Sequence, residues 1–215
     1  MNKYRMEIKV EDIQTLSPRT WLNDQIINFY MKLLHARSLE NIKNIHLPSQ
    51  YKQKCYFYNT FFYSKLRHNG IYTYKNVRRW SKRAKIITTE MDKIFIPIHV
   101  HGNHWCMSCI NFIDSQFEYY DSLGGQNSQC LTDLRQYVID EAKHYQQIDN
   151  YDFSQWKIYI GSKEIPKQQN GYDCGVFSCK LADYKSEMIP LNYTQNDMTY
   201  FRKRMIIEIL QGNLL

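Results

Sequence analysis

Residues 94–120 limit the possible folds more than any other part of the chain. Three short apolar runs, Ile94-Phe95-Ile96-Pro97-Ile98, Trp105 to Phe112 and Phe117 to Tyr120, follow one another with turn residues between them. Apolar runs this short, bounded by turn signals, read as β-strands. Pro97 cannot donate to a ladder, so the first run is expected on an edge or as an irregular strand. Trp156 to Ile160 reads as a further strand. Elsewhere apolar residues recur at helical spacing. Ile26, Ile27, Phe29, Tyr30, Leu33 and Leu34 mark a helix capped by Asn23 or Asp24. Gln129 to Gln147 is another, with Leu131, Leu134, Val138 and Ala142 on one side. A helix runs from Cys174 to about Lys185. The last one is capped by Thr194, carries Met198, Phe201, Met205, Ile206 and Ile209, and stops at Gly212. A short helix is expected around Val77 to Lys82. Tyr56 to Phe62 reads as a strand or a buried turn, and Arg37 to Lys54 as a connecting region. The class is therefore α+β, a central, mostly antiparallel sheet flanked by helices.

A chain of 215 residues suits one domain, residues 1–215, with one sizeable core. Its longest apolar runs are a few residues, so no segment is expected to span a bilayer. The start, Met1-Asn2-Lys3-Tyr4-Arg5, has no apolar h-region, and no secretory signal is expected. The cysteines at 55, 106, 109, 130, 174 and 179 then read as reduced intracellular thiols. A formal charge of +7 favours an acidic partner, and equally fits nucleic acid or no specific partner. The densest basic runs are only Arg78-Arg79, Lys82-Arg83 and Arg202-Lys203-Arg204, too sparse to point to nucleic acid.

The most informative stretch is Ile165-Pro166-Lys167-Gln168-Gln169-Asn170-Gly171-Tyr172-Asp173-Cys174-Gly175-Val176-Phe177. A turn at Gly171 feeds a helix whose first turn carries Cys174. Free N–H groups and the helix dipole favour a thiolate there. Gly175 leaves the backbone open to a substrate carbonyl. The Cys174 N–H and a side-chain amide are placed to hold an oxyanion. Gln168, six residues upstream, is the first choice for that amide and Gln169 the alternative. The plain reading, a buried thiol on an apolar helix, fits Cys179 better.

A thiol nucleophile needs a base and a group to orient it. Among histidines 35, 46, 68, 99, 101, 104 and 144, His104 opens a β-like run and Asp121 ends the next one. Adjacent strands would bring the two side chains to neighbouring ends, holding the imidazole in one tautomer. Taken alone, Asp121 before Ser122-Leu123-Gly124 reads more simply as a turn-forming residue. A zinc site must also be weighed, because His99, His101, His104, Cys106 and Cys109 are close in sequence. On a strand, however, residues three apart point to opposite faces, which separates Cys106 from Cys109. No metal is expected.

His104-Trp105, Tyr120-Asp121-Ser122 and Gln168-x-Asn170-Gly171-x-Asp173-Cys174-Gly175 resemble the Ulp/SENP family of SUMO-specific cysteine proteases. Weaker matches are Trp21-Leu22-Asn23-Asp24, Asn28-Phe29-Tyr30, Phe61-Phe62-Tyr63, Val77-Arg78-Arg79-Trp80 and Tyr200-Phe201-Arg202-Lys203. The resemblance runs from about Glu11 to Leu215. It implies a papain-like α+β fold and peptidase or isopeptidase activity after a Gly-Gly tail, with no cofactor. It implies Cys174 as nucleophile, His104 as base, Asp121 as orienter and Gln168 as oxyanion donor. Trp21 and Trp105 would clamp the diglycine, and Asp24 would contact the modifier. The expected partner is SUMO or a SUMO-conjugated protein, met by a monomer in the nucleus and/or cytoplasm. Two segments depart from the family pattern: His99 to His104 is about one residue longer, and Arg37 to Lys54 is expanded. Long N-terminal regions often decide localisation in this family, so the chain reads as a compact member or an excised catalytic domain. Rival readings are a protease for another ubiquitin-like modifier, a non-catalytic modifier-binding module and a basic nucleic-acid binder. The filled catalytic positions argue against the second.

Overall fold

The computed structural model of the protein describes residues 2–44, 46, 48, 52–161 and 164–215. In chain order these form β1 (Asn2–Lys3), β2 (Met6–Glu7), α1 (Val10–Gln14) and α2 (Asp24–Lys43). Then come β3 (Cys55–Phe57), α3 (Phe61–Leu66), the small hairpin β4 (Arg67–His68) and β5 (Ile71–Tyr72), and α4 (Trp80–Ala84). The central strands are β6 (Lys93–Val100), β7 (His104–Asn111) and β8 (Gln116–Tyr120), followed by α5 (Ser128–Gln146) and β9 (Lys157–Ile160). α6 (Cys174–Ser186) and α7 (Met198–Gln211) complete the fold.

The main sheet has the order β3-β6-β7-β8-β9. Its two longest ladders, β6 with β7 and β7 with β8, are antiparallel, as the sequence led one to expect. The short edge strands β3 and β9 join in parallel. Helices cover both faces, so β6 is buried on both sides and reads as a continuous apolar run. Its side chains alternate between two cores. Phe95 packs with α2, α6 and α7, whereas Ile94, Ile96 and Ile98 pack with α3 and α5. Pro97 sits in this interior strand, but past the end of the β3 ladder, which stops at Phe57↔Phe95. It pairs only with Met107 on the β7 side, which is how an interior strand tolerates it.

Asn23 caps α2, its side chain accepting from the Ile26 N–H at 3.0 Å. The helix continues to Lys43, so the front of the supposed Arg37–Lys54 connection is helical. Arg37 lies 2.6 Å from Asp183 of α6 and 3.1 Å from Glu187, long-range pairs that hold a polar stretch in helical form. Residues 45, 47 and 49–51 of that region lie outside the described set. The short helix expected at Val77–Lys82 starts later, at Trp80. Thr194 caps a single 3₁₀ turn, Gln195–Asp197, that runs directly into α7. Gly212 ends α7 with φ of +66°, a left-handed cap suited to glycine.

Candidate active site

His104 opens β7 and Asp121 follows β8. Because those strands are antiparallel, with Met107 opposite Tyr120, the two residues meet at one end of the sheet. His104 Nε2 lies 2.7 Å from Asp121 Oδ1. The carboxylate also accepts from the Leu123 N–H at 2.8 Å and the Gly125 N–H at 3.1 Å. Asp121 is therefore both the turn residue and the imidazole's partner; one carboxylate fills both roles. A Cβ on Gly125 would lie 2.3 Å from Asp121 Oδ2, so glycine is needed for that close approach.

The Asp121 hydrogen bond, helped by the nearby thiols of Cys106 and Cys174, pushes His104 up to about 12 against the opposing effect of burial. Burial pushes Asp121 up, but the bonds from His104 and the Leu123 N–H outweigh it and hold the carboxyl below its usual range. Cys174 is the first residue of α6, and its side chain reaches His104. With Nε2 committed to Asp121, Nδ1 is the ring nitrogen left for the thiol. The N–H groups of the first helical turn have no acceptor within the helix.

Gln168 is turned inward while Gln169 is exposed. The Ser122 hydroxyl donates to Gln168 Oε1 at 2.6 Å, and the Gln168 N–H donates to the Ser122 carbonyl at 3.1 Å. Fixing the oxygen end in this way leaves Nε2 as the donor end. One of its hydrogens goes to the Asn170 carbonyl at 2.5 Å, and the other is free to face a substrate.

The two tryptophans have different surroundings. Trp105 is only 7% exposed; its Nε1 donates to the Leu22 carbonyl at 3.0 Å, and its ring stacks on His99 with centroids 4.2 Å apart. Trp21 is 51% exposed and donates to the Gly171 carbonyl at 2.6 Å. Both line a cleft of about 530 Å³ together with Asp24, Phe61 and His99. Asp24 is the first residue of α2, where a carboxylate complements the helix dipole. Across the helix start, a Cβ on Gly175 would come 2.9 Å from Leu22 Cβ, so the Cys174 and Trp21 segments touch closely.

Several neighbours of the site carry no catalytic or positioning role in the sequence reading. Cys106 lies beside the pair: donor atoms of His104, Cys106 and Asp121 all fall within 4.8 Å of one another. The two-residue strand period from His104 was the available signal. Cys106 and Cys109 belong to the two different cores, so the five zinc-like residues are divided between faces. His101 sits in the exposed turn after β6. The Ser122 contact with Gln168 and the His99 contact with Trp105 left no local sequence signal.

A cysteine at a helix start, facing a histidine backed by an aspartate at the end of a sheet, is the arrangement of the cysteine peptidases. Residues 20–214 match the model of the Ulp1 protease family, C-terminal catalytic domain. The chain belongs to that family. It is 39% identical over 209 residues to ubiquitin-like-specific protease 1A of Arabidopsis thaliana, covering 96% of this chain and 40% of that protein. It is 38% identical to sentrin-specific protease 2 of Homo sapiens, covering 99% of this chain and 33% of that protein. The chain thus spans well under two thirds of these relatives. A crystal structure of the C-terminal Ulp1 protease domain in complex with Smt3, the yeast ortholog of SUMO, matches with a TM-score of 0.80 at 34% identity. That match covers 99% of this chain and 86% of the other.

Proposed function

We propose that this domain is a cysteine endopeptidase and isopeptidase that cleaves after the C-terminal Gly-Gly of SUMO, maturing its precursor or freeing it from lysine side chains. The observation that carries this reading is His104 placed between Asp121 and Cys174 beside a tryptophan-lined cleft. Cys174 Sγ, its proton already passed to His104 Nδ1 as the raised pKa of that imidazole favours, attacks the carbonyl carbon of the terminal glycine as the thiolate. The oxyanion is held by the Cys174 N–H and Gln168 Nε2. The tetrahedral intermediate collapses to a thioester, and His104 passes its proton to the leaving amine. Water, deprotonated by His104, then releases the modifier and restores the thiol. Asp121 keeps Nε2 protonated throughout, so that Nδ1 remains the reactive nitrogen. Trp21 and Trp105 flank the diglycine, and Asp24 pairs with a basic residue upstream of it.

The relatives named for ubiquitin-like or sentrin substrates, and the Smt3-bound structure, support SUMO as the modifier. The charge of +7 favours an acidic face on it. All six cysteines are free thiols, which fits a reducing nuclear or cytoplasmic setting. The test is incubation with SUMO carrying a C-terminal vinyl sulfone, alongside equivalent probes built on other ubiquitin-like modifiers. Mass spectrometry should place a SUMO adduct on Cys174, absent in Cys174→Ser. Faster labelling by another modifier would reassign the substrate, and labelling of a different cysteine would overturn the mechanism.

A further inference from the structure

Directly behind the proposed nucleophile, α7 delivers a buried ion pair. Asp173, which precedes Cys174, is 3% exposed, and Arg202 is 4% exposed. Arg202 Nε donates to Asp173 Oδ1 at 2.9 Å. Nη1 donates to the carbonyls of Thr15 at 3.1 Å and Ser17 at 3.0 Å. Nη2 donates to those of Thr20 at 2.7 Å and Tyr172 at 3.1 Å. A guanidinium has five N–H donors in a fixed fork, and each of these finds an acceptor.

The acceptors belong to two segments far apart in sequence. Thr15, Ser17 and Thr20 lead into Trp21, whereas Tyr172 and Asp173 lead into Cys174. The other oxygen of Asp173 accepts from Asn170 Nδ2 at 2.7 Å and from Gln195 Nε2 at 2.7 Å. The Asn170 carbonyl in turn takes Gln168 Nε2. One ion pair thus reaches, through hydrogen bonds, the tryptophan wall on one side and the oxyanion amide on the other. Buried ion pairs are a weak source of stability, because desolvation offsets their attraction. What this one supplies is geometry.

We propose that Arg202, acting through Asp173, is a positioning residue that sets the Trp21 wall against the Cys174–Gln168 segment, so that a scissile carbonyl lies in line with both. This rests on the reading of Cys174 as nucleophile. A lysine has three donors on one atom and cannot reach acceptors arrayed around a plane. Loss of the fork should misplace the carbonyl relative to the oxyanion donors without altering the thiol itself.

The experiment compares turnover of a Gly-Gly amide substrate, alkylation of Cys174 by iodoacetamide across pH, and thermal melting. In Arg202→Lys, kcat should fall at least about tenfold, as misplacing an oxyanion donor does, with KM within about threefold. The alkylation rate and its pH profile should stay at wild-type values. Asp173→Asn, which keeps the shape, should shift kcat the same way but less. Arg204→Lys, altering a neighbouring pair on α7, should leave turnover unchanged. The proposal is overturned if both variants melt lower yet keep wild-type kcat, or if alkylation falls in step with kcat. Should Arg202→Lys fail to fold, Asp173→Asn decides; failure of both to fold assigns the pair to the fold alone and also overturns it. A wild-type domain with neither turnover nor Cys174 labelling by the SUMO probe would instead remove the reading underneath.

Discussion

The His99 imidazole lies almost parallel to the Trp105 indole, centroids 4.2 Å apart and planes 24° from one another, on directly opposed residues of β6 and β7. His99 therefore buttresses the wall of the cleft, while His104, one residue before Trp105, faces Asp121 and Cys174. Burial, more than its neighbours Asp24 and His104, sets the direction for His99 and lowers its pKa. Burial thus favours the neutral ring in the stack. His99→Ala should lose about 0.5–1.5 kcal/mol of ring packing, seen as a loss of up to about tenfold in kcat/KM. His104→Ala should cost several orders of magnitude, as loss of a triad base does. Equal losses from the two substitutions, measured on one Gly-Gly substrate, would remove the distinction.

The second expectation concerns the pair Ser122 and Gln168. Gln168→Ala should lower kcat by on the order of 100-fold with KM little changed, as expected of an amide proposed to act on the oxyanion alone. Ser122→Ala removes the hydroxyl that holds Gln168 Oε1, so the amide loses its fixed orientation. Its kcat loss should be smaller, and the double variant should cost no more than Gln168→Ala by itself. Additive losses would mean that Ser122 acts independently of Gln168. A larger effect from Gln169→Ala would relocate the donor altogether, against the exposed position of that side chain.

A buried charge cluster behind α6 makes a prediction about acid stability. Lys180 lies 3.0 Å from Asp183, which also pairs with Arg37 at 2.6 Å. Burial pushes the Asp183 carboxyl up, but Lys180 and Arg37 together outweigh it and hold it below its usual range. A depressed carboxyl contributes stability above its unfolded value, about 3.9, and loses it as pH falls through the lower folded value. Urea midpoints should therefore drop below about pH 4. Lys180→Met should cost on the order of 3 kcal/mol at pH 7, leaving Asp183 short of one partner. That deficit should shrink as pH falls, because Asp183 protonates first in the variant that lacks Lys180 and in the wild type only at its lower folded value. A deficit independent of pH would show that packing, not charge, accounts for it.

Local signals explain what the sequence made legible. The Asn23 cap, the apolar spacing of α2, the glycine after α7 and the strand ends carrying His104 and Asp121 all depend on neighbours within a few residues. The Gly-flanked cysteine at a helix start is likewise a local pattern. What stayed hidden depends on distant partners. Arg37 to Lys43 looks like a loop because its helix is held by Asp183 and Glu187, far along the chain. Pro97 looks like an edge residue because nothing local tells that β3 ends two positions earlier. Arg202 sits within a recognisable motif, yet its acceptors at Thr15, Ser17 and Thr20 are invisible until the chain has folded.

The last prediction separates the two tryptophans. A diglycine tail has no side chain to fill a pocket, so a selective site can be a slot too narrow for a Cβ. In the proposed function the two indoles would make unequal walls for it. Trp105 is a fixed wall: it is buried, backed by His99 and tied to the Leu22 carbonyl. Trp21 is a cover: it is half-exposed and tied to the Gly171 carbonyl of the cysteine loop. Trp105→Ala would therefore remove core packing as well as a slot wall, at about 3–5 kcal/mol, and cannot test the slot cleanly. Trp21→Ala leaves the core intact. It should keep the wild-type melting temperature while kcat/KM on a Gly-Gly tail falls at least about tenfold. Wild-type enzyme should cut a Gly-Ala or Ala-Gly tail about 5- to 150-fold more slowly, the range expected from forcing one methyl group into a filled space at about 1–3 kcal/mol. In Trp21→Ala that discrimination should weaken, since the space above the tail is then open. If the alanine tails are cut as fast as Gly-Gly by the wild type, there is no narrow slot, and selectivity resides in the modifier's globular surface alone.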